Sequence, residues 1–387
     1  MVVYVRMLLA CSPRLQAGSM FGPPRPREFR MRFDLFTTDP VLLPLASDRT
    51  VPTVELLRCS SWVCASALQK GIRRGDVDLA LRAAATLLKA DKAKLWRRLC
   101  GIVFEDVGLA SVETIRLVIA ATTSKSLREE FGGEWAVASR LVEQMTTAPK
   151  CRAADDLLWT VAQYHELDEL RASLAGADLS EHLSRIRERG ALLGASLSVL
   201  HGSGVRWTGQ VAGKTANAAA TFAAMREAGA DHEVVAIAEQ GFRRTREALP
   251  LLLPLLYSAF PSAELPAVDD DLPPIVMGRN GIPTYCLDGF SHEGKAALAR
   301  CLRRDLPTSR WLRRHVPAER RLAVLHGAVF RLDGGRVRQR VQWPCAMTLR
   351  WLADSGFHNM KLADPVEWLD MVRSDLPTID DERASVR

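Results

Sequence analysis

The chain has 387 residues, 48% of them apolar and 25% charged, with a formal net charge of +7. That length allows two or three domains with a sizeable core, and that balance belongs to a globular protein rather than a disordered or fibrous one. Eight scattered cysteines exclude a disulfide framework, and no apolar run approaches the ~20 residues of a membrane span.

Residues 1–12 form a short apolar stretch broken by Arg6, a poor signal peptide. Residues 1–50, rich in Pro and Arg at the start, are expected to be a partly disordered arm. From Val54 to about Leu174 the periodicity is helical. Val77, Leu79, Ala80, Leu81, Ala84, Leu87 and Leu88 follow an i, i+3, i+4, i+7 stripe. Asp76 is placed to cap that helix, because its carboxylate can accept an orphan amide of the first turn. Lys94 to Val107 reads as a second amphipathic helix. Gly108 follows its last turn, where a positive φ commonly ends a helix, and Ser111 is placed to cap the next. Pro149 breaks the pattern after Met145. Cys59 and Cys64 have no second pair at zinc-ligand spacing, so no metal is expected and the thiols read as reduced, in a cytoplasm.

Residues 176–260 continue as a further Ala- and Leu-rich helical region. The nearest thing to a phosphate loop is Gly209 to Thr215, with Leu197–His201 as a possible strand before it. It has three residues before Gly213-Lys214 where a Walker loop needs four, and Thr208 stands where the first glycine should. No Walker B strand ending in paired acids follows, so nucleotide binding is not expected and no cofactor is implied. A Pro/Asp-rich linker at 261–281 surrounds Asp269-Asp270-Asp271. A smaller basic module, α or α+β, occupies 282–372. It holds helical pieces at Ser291–Arg304, Met347–Asp354 and Pro365–Val372, and a hairpin at Ala328–Val341 around Asp333-Gly334-Gly335. Residues 373–387 read as a frayed tail.

Charge is unevenly spread. Residues 300–350 hold thirteen Arg against three acids, which leaves the remainder slightly acidic. Arg300, Arg303, Arg304, Arg310, Arg313 and Arg314 lead the candidates from this block, followed by Arg320, Arg321, Arg336, Arg338 and Arg340. Arg is suited to forked phosphate contacts, and the interleaved Trp311 and Trp343 are candidates for stacking on bases. Arg303, Arg304 and Arg310 share a face only if one helix survives Pro307. Glu105 and Asp106 sit at a helix C-terminus, where they oppose the dipole and need cations. Arg73, Arg74, Arg97 and Arg98 lie in the same block, so a structural ion-pair network is expected in preference to a catalytic or metal-binding acid pair. Asp288, His292 and Cys286 carry a weaker nucleophile–base alternative, with Ser291 as a helix cap.

The front segment is similar to the helical C-terminal domain of the replication-associated recombination protein A family, also called MgsA, with its Werner-helicase-interacting relatives. Ser66, Ala67, Leu68, Lys70, Arg73, Asp76, Asp78, Ala80 and Leu81 fall on its opening motif. Arg97-Arg98-Leu99, Glu105 to Ala110 (with Asp106 and Gly108) and Ala148-Pro149-Lys150 match later motifs in the same order. These proteins are AAA+ ATPases similar to clamp loaders. The resemblance covers about residues 55–165 and implies a clamp-loader-like helical collar over 51–175, self-association into a homo-oligomer and a DNA-maintenance setting. It does not imply ATP hydrolysis. The expectation is therefore a mainly α protein that is not an enzyme, binds DNA through its basic module and belongs with replication, recombination and repair. The alternative is an adaptor that docks onto a separate ATPase or polymerase complex without touching DNA.

Overall fold

The computed structural model describes residues 40–45, 50–188, 191–207, 216–357, 360 and 365–386. Among them the apolar stripes give eighteen α-helices and one two-stranded antiparallel sheet, so the chain is mainly α-helical. No helix there is long and apolar enough to cross a membrane. The Gly209–Thr215 loop and most of residues 1–50 lie outside the described residues.

The first helices are α1 (Ser61–Arg74), α2 (Val77–Ala90), α3 (Lys92–Ile102), α4 (Val112–Thr123), α5 (Lys125–Glu130), α6 (Gly133–Thr147) and α7 (Ala153–Gln163). α1 closes on Gly75 at φ +69°, a left-handed conformation that glycine adopts without steric cost. Asp76 then caps α2, its Oδ1 accepting the Leu79 N–H at 3.0 Å. This two-residue joint packs α1 against α2 so closely that a Cβ on Gly71 would meet the Ala80 nitrogen at 2.9 Å. α3 runs into a wide turn, Val103–Val107, that ends at Gly108 with φ +51°. There a Cβ would stand 2.3 Å from the Cys151 carbonyl oxygen. The Cys151 N–H in turn donates to the Asp106 and Val107 carbonyls, which ties this turn to the start of α7.

Next come α8 (Asp168–Ala175), α9 (Leu179–Arg187), α10 (Leu192–Ser203), α11 (Ala218–Glu227), α12 (His232–Thr245) and α13 (Leu249–Tyr257). Leu197–His201 lies inside α10 and forms no strand. These helices share one core with the first group, reached also by Tyr285, Trp343 and Leu349. Last are α14 (His292–Arg303), α15 (Pro307–His315), α16 (Arg321–Val329), α17 (Pro344–Ser355) and α18 (Pro365–Ala384). A second core gathers Leu298, Leu312, Leu325, Val329, Trp368 and Ile379, with α18 against α14, α15 and α16. α17 packs on α7 instead and belongs to the first core.

Three features of the second half differ from the sequence expectation. No hairpin forms at 328–341. α16 and a wide turn at Phe330–Gly334 occupy its first half, while β2 (Arg340–Val341) pairs antiparallel with β1 (Ala267–Val268) from the expected linker. The expected linker is bound rather than loose: Asp270 and Asp269 accept the Val337 and Gln339 N–H groups, each at 2.9 Å. The expected frayed tail is the second half of α18, because Leu376 and Ile379 have an apolar core to enter. Pro307 stops α14 and takes the first position of α15, where its missing N–H costs nothing.

Candidate nucleic-acid interface

The structure sorts the charged side chains of interest into a buried seam and an exposed strip. The seam starts on α1, where Gln69, Lys70, Arg73 and Arg74 are spaced three and four residues apart and so share a face. Arg73 Nε donates to Asp106 Oδ1 at 2.7 Å and its Nη2 to Glu105 Oε1 at 2.9 Å. Gln69 Nε2 donates to Asp106 Oδ2 at 3.2 Å. Arg152, just before α7, donates from the other side to Glu105 at 3.1 Å and to Asp106. Burial opposes the charge on Asp106, yet the two guanidiniums outweigh it and hold the carboxyl at about 2. Beside them, burial pushes Asp155 up to about 6 against the pull of Arg152.

The seam continues into the C-terminal part. Arg74 lies 4.0 Å over the Tyr285 ring and donates to the Asp333 carboxylate. Arg383 of α18 is fully buried and donates to Asp333 Oδ2 at 2.7 Å and to Asp380. Lys70 Nζ stands 2.5 Å from Asp288 Oδ2 and also donates to Ser66 Oγ, whose hydroxyl donates to the Cys286 carbonyl at 2.8 Å. Burial opposes ionisation of Asp288, but Lys70 holds its carboxyl below the usual range.

The other motif residues sit around this seam. Lys150 donates to the Thr146 and Ala148 carbonyls, and burial brings its ammonium down to about 8. Pro149 is half-buried beside it. Arg98 reaches Gln69, Arg97 is exposed, and Asp78 pairs with Arg82 on the surface of α2. Asp288 is engaged by Lys70 and by the Phe290 N–H, while His292 is exposed at the start of α14. The structure therefore does not assemble the Cys286, Asp288 and His292 alternative. Sequence reasoning missed Arg152, Asp333 and Arg383 as seam members. The available signals were the Ser66–Lys70 spacing of four and the Asp380–Arg383 spacing of three, each of which places two polar groups on one helix face.

The exposed strip is built from the end of α14, from α15 and from the start of α16. Arg300 and Arg304 share Glu382, at 2.8 and 2.9 Å. Arg310 and Arg313 share Asp305, at 2.9 and 3.4 Å. Arg313 donates to the Leu302 carbonyl, and Arg321 donates to the Arg313 carbonyl, so the three elements meet. Arg303, Arg304, Arg310, Arg313, Arg314 and Arg320 are all exposed, with Asp305 and Glu319 as carboxylates of the same stretch and Glu382 reaching in from α18. α15 can carry this charge because Leu312 is buried on one face while Arg310, Arg313 and Arg314 take the other. Its last-turn cations also favour the helix dipole.

The remaining residues of the basic block lie elsewhere. Arg340 forks onto Asp270 with both contacts at 2.9 Å, and Arg336 is half-buried near the same acid. Arg338 is exposed, but its stem rests against Gly75 at the end of α1. Trp311 is half-buried, its ring centroid 4.3 Å from that of Trp368 with the planes tilted by 32°. Trp343 is buried in the first core, edge-on to Phe260, and presents no face for a base. In comparisons with family models, curated proteins and solved structures, nothing matches this chain.

Proposed function

We propose that this protein is a non-catalytic DNA-associated protein of the replication, recombination or repair type, which grips phosphates through the arginine strip of α14, α15 and α16. The observation that carries the reading is the density of exposed guanidiniums there, six on three adjoining elements. Their surface carboxylate partners compete weakly, because exposed ion pairs contribute roughly 0–1 kcal/mol and exchange readily for a phosphate. Trp311 is engaged by Trp368, so contact is expected to be backbone-directed and tolerant of base sequence. The motifs shared with the MgsA-like collar support a cytoplasmic, self-associating scaffold, and several copies of a weak strip would bind DNA far more tightly than one.

The test is fluorescence anisotropy with single- and double-stranded DNA across a salt series. The wild type should bind at about 50 mM salt and lose affinity steeply above it. Replacing Arg303, Arg310 and Arg314 together with Gln should lower the salt slope by about three, one for each guanidinium withdrawn from a phosphate. No binding at low salt discards the reading. The adaptor reading, docking onto a separate AAA+ ATPase or polymerase complex, draws on the exposed apolar side chains Ile275, Met277 and Phe290. It predicts co-purification with such a complex and indifference to free DNA.

A further inference from the structure

One flank of α15 carries aromatic rings beside the arginine strip. Residues four apart on a helix share a row, so Arg310 and Arg314 fall in one row and Trp311 and His315 in the row next to it. Thr308, Ser309 and Leu312 take the buried side. The ring row therefore lies at the border between core and solvent, with Trp311 half-buried and His315 exposed. Trp311 leans on Trp368, which α18 holds in the second core. The His315 ring centroid stands 4.8 Å from that of Trp311, with the planes tilted by 35°. Two rings so near one indole and so shallowly tilted to it cannot share one of its faces. Trp368 and His315 therefore take opposite faces, and the three rings form a stack. Its inner end is buried and its outer end is the exposed imidazole.

We infer that the strip takes single-stranded DNA in preference to a duplex and seats one base on the outer face of His315, which rests on the phosphate-binding role proposed for the strip. Arg310 and Arg314 stand about 6 Å apart along the helix axis, four residues at roughly 1.5 Å each. That is close to the span of one nucleotide in an extended strand. Successive phosphates can follow the arginine row while a base turns onto the ring row beside it. Among the described residues the Arg314 side chain has no ion-pair or hydrogen-bond partner, and Asp305, the partner of Arg310, is itself exposed. Both guanidiniums are thus open to phosphate. Stacking on an imidazole needs only the π-face of a base, so it accepts any base. A duplex keeps its bases paired and stacked on each other, and offers the strip phosphates alone. His315 therefore distinguishes strand form and not sequence. Trp311, backed by Trp368, holds the imidazole in place beforehand, so little rotamer freedom is lost when a base arrives.

The test measures the full chain by fluorescence anisotropy at about 50 mM salt, with an oligothymidylate, an abasic oligomer of the same length and a duplex. The abasic oligomer carries the same phosphates without bases. The wild type should bind the oligothymidylate at least roughly fivefold more tightly than the abasic oligomer. His315→Ala should erase that ratio and leave duplex binding within about twofold of the wild type. His315→Phe, which keeps a ring, should restore the ratio. A lost or gained charge moves both oligomers alike, so the ratio reads stacking alone; Arg314→Gln should weaken both and keep it. His315 is exposed, so its variants disturb no core. Equal affinity for the two oligomers, or a ratio that survives His315→Ala, overturns the inference and leaves the strip as a phosphate-binding surface. Failure of all three probes to bind discards the strip reading itself.

Discussion

Asp106 has no solvent exposure and faces Arg73, Arg152 and Gln69. Breaking a buried pair from one side strands the opposite charges, at a cost of roughly 3–5 kcal/mol. Asp106→Asn should therefore lower unfolding free energy by about that amount in a urea titration. The pH dependence has a definite sign. The carboxyl sits at about 2 in the fold against an ordinary 3.8, so the unfolded chain binds the proton first as pH falls. The stability from this group is whole above the ordinary value and is lost as pH drops from there through about 2. Asp106→Asn should remove that acid-dependent part of the curve; a variant curve parallel to the wild type would contradict the assignment. Sequence alone indicated that Glu105 and Asp106 need cations, because a carboxylate at a helix end opposes the dipole. It did not identify Arg152, forty-six residues further on, because that pairing depends on how the Val103–Val107 turn meets α7.

At the scale of elements, α9 and α10 are joined through a pair of histidines. His182 and His201 stack with ring centroids 5.4 Å apart and planes 9° from parallel, and Trp207 meets His201 edge-on. Burial lowers both imidazoles; Arg185 adds to the effect on His182 and His182 to that on His201, while Asp178 pulls His182 the other way. Both folded values lie below the ordinary 6.5, so the unfolded chain takes up protons first on acidification. The stack's contribution is complete above 6.5 and declines as pH falls below it. Hydrogen-exchange protection in α9 and α10, corrected for the intrinsic pH dependence of amide exchange, should fall as pH drops below the ordinary 6.5. His201→Gln should flatten that dependence; protection in the wild type that stays constant through this range would refute it. Local chemistry made the helices themselves legible: Asp76, Ser111 and Ser291 cap where capping physics places them, and Gly108 turns the chain at positive φ. The hairpin was misread because Asp333-Gly334-Gly335 looks like a turn in isolation. It ends a helix instead, as Asp333 is drawn inward by Arg74 and Arg383.

Across the whole molecule, Asp333 joins the two apolar cores. Its carboxylate receives Arg74 from α1, in the first core, and Arg383 from α18, which closes the second. Arg74 and Arg383 are 5% and 0% exposed, so neither can turn to water if Asp333 is lost. Nothing in the spacing of residues 74, 333 and 383 announces this; it follows from tertiary packing that brings three distant segments together. A joint made of charge differs from one made of methylenes, because removing Asp333 leaves Arg74 buried without its carboxylate and Arg383 with Asp380 alone. Asp333→Asn keeps the shape and removes the charge. It should lower the melting temperature and speed hydrogen exchange in α14, α15, α16 and α18 more than in α2 and α4, whose contacts lie within the first core. Equal exchange changes in all helices of Asp333→Asn would show instead that the two cores melt as one unit whatever joins them.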